Sequence, residues 1–208
     1  ITSQRISLDR SNISTSALAA WTSCPCLFKA SKLDIVKIPS SDAQLRGIAV
    51  HKEIELASSS KVRPAKYSRL WQIVTRDVRN EVRVEKKVAG IPYPIVGIVD
   101  IWPDDNERII DVKTSSKKPT QSWWATRLIS NQSAMYAFLT DVWTFGIFAA
   151  DFNAYQEIEV KYGSRQLLLR RITEFSQWLS SEQPPIQRSS WKCRDCPLND
   201  CCEEGGNK

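Results

Sequence analysis

Residues 95–114 read IVGIVDIWPDDNERIIDVKT, two β-prone runs separated by turn-forming residues. Ile95 to Trp102 is an almost continuous apolar run, which is typical of a central strand that is buried on both faces. Residues 103–106 (PDDN) favour a turn, and Arg108 to Thr114 returns as a second strand. The stretch therefore predicts a β-hairpin that lies in the middle of a sheet.

The second strand of this hairpin carries an acid and a base on one face. Asp111 and Lys113 are two residues apart and therefore project together, while Val112 points into the core. Asp100 lies on the partner strand and can face them. Two carboxylates can hold Mg²⁺ or Mn²⁺, and a lysine can orient a water molecule for phosphodiester hydrolysis. Because D-x-K also arises by chance, an ordinary hairpin with an exposed ion pair remains the alternative.

Outside the hairpin, helical and strand-like patterns alternate along the chain. Helices are predicted over residues 11–30 (ending or kinking near Pro25), 42–57, 66–80, 121–140 and 164–180. Further strands are predicted over residues 81–88, 142–152 and 156–162. This order predicts the α/β class, with a central mixed sheet flanked by helices.

Composition and charge restrict the classes of function. The chain has 208 residues, 42% hydrophobic residues and a net charge of +6, as expected of one domain with affinity for nucleic acid. It contains no run of about 20 apolar residues, and residues 1–10 lack the apolar run of a signal peptide. We therefore expect a cytoplasmic protein with no membrane partner. His51 is the single histidine, which excludes zinc motifs that need two.

The six cysteines form two groups near the ends of the sequence. Cys24 and Cys26 lie in the first group, and the second contains a C-x2-C pair. The second group consists of Cys193, Cys196, Cys201 and Cys202. Without a secretory signal, this spacing favours a metal or cluster site over a disulfide framework or free thiols.

Four motifs together resemble the RecB-like branch of the PD-(D/E)XK nucleases, which includes CRISPR-associated exonucleases of the RecB type. They are G-x-x-x-H (Gly47 to His51), G-x-x-D (Gly97 to Asp100), D-x-K (Asp111 to Lys113) and Q-x-x-x-Y (Gln132 to Tyr136). They occur in the family's order, and the resemblance extends from about residue 14 to 202. It implies a restriction-endonuclease-like core, at about residues 40–180 of a single nuclease domain that spans residues 1–208.

The resemblance also implies a role for individual residues. His51, Asp100, Asp111 and the main-chain carbonyl of Val112 would bind Mg²⁺ or Mn²⁺, and Lys113 would be the catalytic lysine. Gln132 and Tyr136 would brace the lysine and the DNA backbone. Glu85, ahead of the G-x-x-D strand, would support the site. The alternative for His51 is a partly buried histidine that binds no metal, and the alternative for Gln132 and Tyr136 is an ordinary helix pair. For Glu85 the alternative is a strand residue that faces solvent.

One subgroup of RecB-like nucleases carries an iron–sulfur cluster, and the cysteines here are similar to its pattern. A C-P step at Cys24 and a C-x2-C-x5-C run (Cys193, Cys196, Cys202) imply a [4Fe–4S] cluster that joins residues of about 14–30 to 185–204. Cys26 could replace Cys24, and Cys201 could replace Cys202. Structural Zn²⁺ on the same sulfurs is the alternative.

Two groups of basic residues with aromatic neighbours form a candidate path for DNA. The first group lies in residues 61–69 and consists of Lys61, Arg63, Lys66 and Arg69. The second group follows the predicted catalytic strand and consists of Lys117, Lys118 and Arg127. Solvated surface charge is the alternative for each group.

Together these features predict a metal-dependent DNA nuclease. The resemblance favours an exonuclease on single-stranded or end-containing DNA, in recombination, repair or CRISPR-type DNA processing. A helicase, recombination or integrase protein would be its partner. The alternatives are a non-catalytic DNA-binding or adaptor subunit with the same fold, and a cysteine-based zinc or redox module.

Overall fold

A computed structural model describes residues 12–25, 28, 41–74 and 77–181 of the chain. Its strands are β1 (Ile13–Ser14), β2 (Val78–Lys86), β3 (Ile95–Pro103), β4 (Arg108–Lys113), β5 (Thr144–Ala149) and β6 (Ala154–Glu159). Its helices are α1 (Thr15–Ser23), α2 (Asp42–Ser60), α3 (Ser68–Ile73), α4 (Gln121–Leu128), α5 (Asn131–Thr140) and α6 (Tyr162–Ser180). Short 3₁₀ turns cover Ala65–Tyr67 and Ala150–Phe152.

The described strands form one mixed sheet around the predicted hairpin. β3 pairs antiparallel with β2 along its length and with β4 near its end, and it pairs parallel with β1 near its start. β4 then pairs parallel with β5, and β5 pairs antiparallel with β6. The predicted α/β class with a central mixed sheet is therefore confirmed.

Helices cover both faces of the sheet. On one face α1, α5 and α6 pack on a core that contains Ile95, Val99 and Phe145. On the other face α2 and α3 pack on a core that contains Ile101 and Phe148. Residues of β4 contribute to both cores in alternation, as expected of a strand in the middle of a three-layer structure.

Three of the predicted helices have different limits in the structure. The helix predicted over residues 11–30 is observed as β1 (Ile13–Ser14) followed by α1 (Thr15–Ser23). The helix predicted over residues 121–140 is divided into α4 and α5, because the Ser130 hydroxyl caps α5 in a capping box with Ser133. The helix predicted over residues 66–80 ends at Ile73, and Val78 already begins β2. Alternating Val and charged residues favour the strand there.

The predicted limits of the domain and of the cysteine subdomain stay predictions. Cys24 follows the last residue of α1 and is half-buried. Cys193, Cys196 and Cys202 lie outside the described residues, as do the alternatives Cys26 and Cys201. Among the described residues, no helix combines the length and the apolar character needed to cross a membrane.

Candidate active site

The sheet places an acid and a base together at the end of β4. Asp111 is 2% exposed, and its Oδ2 lies 2.8 Å from the ammonium nitrogen of Lys113. Gln132 on α5 donates from Nε2 to Asp111 Oδ1 at 2.7 Å. We call Asp111, Lys113 and Gln132 the inner group. Because this ion pair and this hydrogen bond come from regular elements, both carboxylate oxygens of Asp111 are held in fixed directions.

The carboxylate of Asp100 is inserted between β3 and β4. Its Oδ2 accepts a hydrogen bond from the Val112 backbone N–H at 2.7 Å. Within the described chain, the pairing of β3 with β4 is limited to Ile101 and Ile110. The two strands therefore separate just beyond this pair, and a side chain occupies the space that a backbone ladder would fill.

The alternation of β3 side chains between the two cores is interrupted at Asp100. Val99 packs in the core under α5 and α6, whereas Ile101 packs in the core under α2 and α3. Strict alternation would put both residues on one face. The irregularity at Asp100 therefore turns its carboxylate toward the opening between the strands.

Glu81 on β2 lies level with Asp100, because its neighbours pair with the neighbours of Asp100. Its φ angle is 50°, a left-handed conformation that is unfavourable for a residue with a side chain. Such strain costs on the order of 1–3 kcal/mol and is concentrated at functional sites. Glu81 and Asp100 thus form an irregular pair of positions on neighbouring strands.

The helix α2 completes this side of the site with His51. Its Nδ1 lies 3.6 Å from Asp100 Oδ1 and 3.8 Å from Glu81 Oε1, and its Nε2 lies 3.0 Å from the carbonyl oxygen of Val112. We call His51, Glu81 and Asp100 the outer group. One ligand atom from each lies within 4.8 Å of the others, a spacing at which a single metal ion can contact all three.

A cleft of about 450 Å³ opens beside the outer group. It is lined by residues of α2 and by Glu81, and it reaches His51. Gly47 lies on its wall, where an added Cβ would meet the protein only at an ordinary distance of 3.6 Å. The glycine of the G-x-x-x-H motif is therefore not required by packing and instead leaves the cleft open.

Burial and mutual repulsion alter the pKa values of the site. Desolvation, reinforced by the negative charge of Asp111, raises the pKa of Asp100 to about 8, against the opposing hydrogen bond from Val112. Burial alone would lower the pKa of Lys113, but the Asp111 carboxylate raises it above its ordinary value. Lys113 is thus a protonated hydrogen-bond donor at neutral pH, while Asp100 needs an added positive charge to ionise fully.

The Q-x-x-x-Y motif acts on both strands of the hairpin. Besides the contact of Gln132 with Asp111, Tyr136 donates from its hydroxyl to the carbonyl oxygen of Ile98 at 2.5 Å. Gly97 gives the room for this approach, because an added Cβ would lie 3.0 Å from the Tyr136 ring and 2.8 Å from Leu139. The glycine of G-x-x-D therefore serves the packing of α5 on β3.

Glu85 does not join either group, which differs from its expected place. It pairs with Val96, about 13 Å along β3 from Asp100 at the usual rise per residue, and its carboxylate lies 3.1 Å from Arg83. Glu81, and not Glu85, lies beside Asp100. The choice between the two glutamates follows from the register of β2 on β3, which motif spacing alone does not give.

The predicted DNA-binding residues lie in different surroundings. Lys66 is 2.6 Å from Glu53, so its charge is already compensated. Arg63 lies over the ring of Trp71 at 6.0 Å. Lys117 and Lys118 are exposed in the loop after β4. The remaining three are Lys61 and Arg69, which are exposed, and Arg127, which is half-buried.

Comparison with known proteins gives similarity at the level of fold. No protein-family model and no curated protein matches the chain. The crystal structure of SSO0001 matches with a TM-score of 0.61 and 18% identity, over 94% of this chain and 87% of that one. A candidate exonuclease from Eubacterium rectale matches with a TM-score of 0.60 and 15% identity, over 100% of this chain and 93% of that one.

A further solved structure is similar over a smaller part of the chain. The alkaline exonuclease LHK-Exo from Laribacter hongkongensis has a TM-score of 0.52 and 12% identity, over 83% of this chain and 89% of that one. LHK-Exo has also been solved in complex with dAMP. At these identities the likeness concerns the fold, so the chain has an α/β fold of the kind found in exonucleases.

Proposed function

We propose that the protein is a metal-dependent DNA nuclease, acting as an exonuclease on single-stranded or end-containing DNA. The observation that carries this proposal is the meeting of the inner and outer groups at the Val112 backbone, which Asp100 and His51 both contact, on a fold that exonucleases share. Phosphodiester hydrolysis needs a positioned water, a positive charge near the phosphate and acidic ligands for a divalent ion. The carboxylates offer the ligands, and the Lys113 ammonium offers the positive charge and a donor that can position a water.

The residues fit Mg²⁺ or Mn²⁺. The outer group and Asp111 supply carboxylate oxygens and one imidazole, the donors that these ions accept. Asp100, with a pKa of about 8, is a carboxylate whose charge lacks compensation in the protein alone. A bound ion would supply that compensation, polarise a phosphoryl oxygen and lower the pKa of a water molecule. The Val112 carbonyl, which lies 3.0 Å from His51 Nε2, is a further candidate ligand.

The chain's own groups position the reactants around that ion. The Lys113 ammonium can donate a hydrogen bond to the attacking water or to a phosphate oxygen, and Asp111 fixes its direction. Gln132 keeps the Asp111 carboxylate in place. In the reaction a water oxygen bonds to phosphorus, the bond to the leaving oxygen breaks, and that oxygen takes up a proton.

The cysteines would hold a [4Fe–4S] cluster, with structural Zn²⁺ as the alternative occupant. Two features support a site that joins the ends of the chain. Cys24 terminates α1, and α1 packs on α6 through a tilted contact between the rings of Trp21 and Phe175, whose centres lie 5.1 Å apart. The described chain leaves α6 at Ser181, so Cys193 follows 12 residues later.

A cysteine comparison tests the cluster. Iron, sulfide and zinc are measured on the purified protein together with its visible absorption, for the wild type, Cys24→Ser and Cys26→Ser. Loss of iron and sulfide in Cys24→Ser alone supports the cluster with Cys24 as ligand. Zinc in stoichiometric amount supports the alternative, and an iron- and zinc-free folded protein contradicts both.

The nuclease proposal is tested with end-labelled single- and double-stranded DNA in Mn²⁺, Mg²⁺ or EDTA. Wild-type protein is compared with Asp111→Asn, which keeps the shape of the side chain. Cleavage that needs the ion and is lost in the variant is the expected result, and the products show polarity. A folded protein that binds DNA but cuts no substrate would contradict the proposal and favour an adaptor subunit. A helicase, recombination or integrase partner would then be sought by its effect on cleavage.

A further inference from the structure

The half-buried Arg127 on α4 differs from most arginines of the described chain. Five of the others lie within ion-pair distance of a carboxylate: Arg46, Arg79, Arg83, Arg108 and Arg170. Among the residues that the structure describes, Arg127 forms no such pair. A half-buried guanidinium that no carboxylate pairs with is free to accept an anionic ligand.

Aromatic packing holds this guanidinium in place. It lies 4.0 Å from the centre of the Trp123 ring, one helical turn earlier, and Nη1 donates to the Trp123 carbonyl at 3.4 Å. Trp123 in turn packs edge-on against the buried Trp124 at 4.8 Å. Thr120 caps the start of α4 by accepting from the Trp123 backbone N–H. The direction of Arg127 is therefore fixed before any ligand arrives.

Arg127 is also electrostatically coupled to the inner group. Burial lowers its pKa, and the negative charge of Asp111 opposes that change. The positive charge of Arg127 in turn acts to lower the pKa of Lys113. Arginine remains charged despite such a change, because its ordinary pKa is far above neutral. Arg127 thus carries a permanent charge that acts electrostatically on Asp111 and Lys113, and no described carboxylate forms an ion pair with it.

We propose that Arg127 binds one backbone phosphate of the nucleic acid, within one nucleotide of the cleaved bond, and that Trp123 is its positioning residue. The inference rests on the proposed nuclease function and names one contact of that site. A planar guanidinium can donate two parallel hydrogen bonds to two phosphate oxygens, which a lysine cannot reproduce. The contact would fix the register of the DNA on the inner group.

Arg63 provides a matched control. It also lies over a tryptophan, at 6.0 Å from the Trp71 ring, and it also lacks an ion pair in the described part of the chain. It is exposed, however, and it lines a cleft with Ala57 and Asp77 rather than with the inner group. We expect Arg63→Ala to weaken DNA binding without selecting any one phosphate.

The experiment uses single-stranded oligonucleotides in which one phosphate at a time is replaced by a neutral methylphosphonate. The cleaved bond is mapped with unmodified DNA in Mn²⁺, and binding of each oligonucleotide is measured in EDTA. For the wild type we expect one position next to the cleaved bond at which the replacement weakens binding roughly 10- to 100-fold. Arg127→Ala should bind the native and that modified DNA equally, which is the signature of a direct contact.

Further variants separate the contact from a folding defect. Arg127→Lys keeps the charge and should retain part of the effect at the same position. Trp123→Phe keeps an aromatic face and should retain most of it, whereas Trp123→Leu should lose most of it. Thermal unfolding of each variant is compared with that of the wild type, and Arg63→Ala should keep the full wild-type pattern.

Each outcome is decisive. If Arg127→Ala keeps the wild-type effect at every position, or weakens binding equally at all of them, Arg127 contacts no particular phosphate and the inference is wrong. If Arg127→Ala gives either of these results and the wild type still binds and cuts DNA, the inference fails and the proposed function stands. If the wild type neither binds nor cuts any DNA, the proposed function fails and the inference fails with it.

Discussion

The inner and outer groups meet at the Val112 backbone and are built in different ways. The inner group lies on β4 and α5 around the buried Asp111, and each carboxylate oxygen of Asp111 has a partner. The outer group is assembled from three separate elements, with contacts of 3.6 Å and 3.8 Å around a partly exposed His51. The members of the inner group therefore contact one another directly, whereas Asp100 and His51 of the outer group are held by the Val112 backbone and leave wider gaps between their own ligand atoms.

This difference indicates a division of labour. Groups that must act on the transition state need fixed directions, and burial strengthens their electrostatic effect. Groups that bind an exchangeable ion need donors that can close around it. We therefore expect substitutions in the inner group to affect the chemical step and substitutions in the outer group to affect affinity for the ion.

The largest effect is expected for Lys113→Ala. Removing a fixed cation from the reacting phosphate should lower kcat by about 10³-fold, in the range known for loss of one preorganised donor. DNA binding and Mn²⁺ affinity should change little, because the outer group remains. Single-turnover cleavage and Mn²⁺ titration measure the two quantities. Retention of more than a tenth of the wild-type rate would remove Lys113 from the mechanism.

Glu81→Gln should give a smaller effect of a different kind. Loss of one carboxylate ligand should weaken Mn²⁺ binding about 10- to 100-fold, as for the loss of other residues that support a metal site, and raised Mn²⁺ should restore most of the cleavage. Calorimetric titration of Mn²⁺ measures the change. Glu85→Gln is the matched control on the same strand, and it should bind Mn²⁺ like the wild type. The opposite result, with Glu85 required and Glu81 dispensable, would restore the role expected of Glu85.

The two glutamates show which parts of the site can be predicted from the sequence. Side chains two residues apart on one strand share a face whatever the rest of the fold does, so the joint orientation of Asp111 and Lys113 follows from local geometry. The partner of Asp100 on β2 depends on the register between strands, which the connecting segment sets. Glu81 also has a positive φ angle, which no local sequence pattern predicts.

The same distinction applies to the fold. Alternation and turn residues predict the hairpin of β3 and β4 within one residue of its observed limits, because a turn defines both strands. The division of α4 from α5 depends on the cap that Ser130 forms. A serine is equally compatible with the exposed side of a continuous helix, so its presence does not predict the break. The parallel pairing of β4 with β5 joins distant segments, and only the assembled sheet reveals it.

Asp100→Asn should stabilise the metal-free protein at alkaline pH. Between 3.8 and about 8 the unfolded chain has lost the Asp100 proton while the folded chain retains it, so stability falls as pH rises through this window. Asparagine can still accept from Val112 N–H and removes this penalty. A shift of about four pKa units corresponds to an upper limit of about 5 kcal/mol at pH 8. We expect the free energy of unfolding to rise by about 1–3 kcal/mol there, because the Asp100 side chain is partly open to water, and to match the wild type near pH 4.

Urea unfolding in EDTA at a series of pH values measures this difference. Asp104→Asn, at an exposed position just beyond β3, is the control and should show no such dependence on pH. Saturating Mn²⁺ should stabilise the wild type more than Asp100→Asn and thereby reduce or reverse the difference. An Asp100→Asn protein that is less stable than the wild type at pH 8 in EDTA would mean that Asp100 is already compensated within the fold.

The smallest effect is expected for Tyr136→Phe, which tests whether α5 acts on the reaction or only on the strand. The change removes the hydrogen bond to the Ile98 carbonyl from a hydroxyl whose pKa is raised by burial, and should lower stability by about 1–2 kcal/mol. Tyr93→Phe, which loses only an exposed contact with Ser180, should change it less. Because Gln132 rather than Tyr136 contacts Asp111, kcat should stay within about threefold of the wild type. A large loss of cleavage at nearly unchanged stability would instead assign the Tyr136 hydroxyl to the bound DNA, and the inner group would then extend along α5.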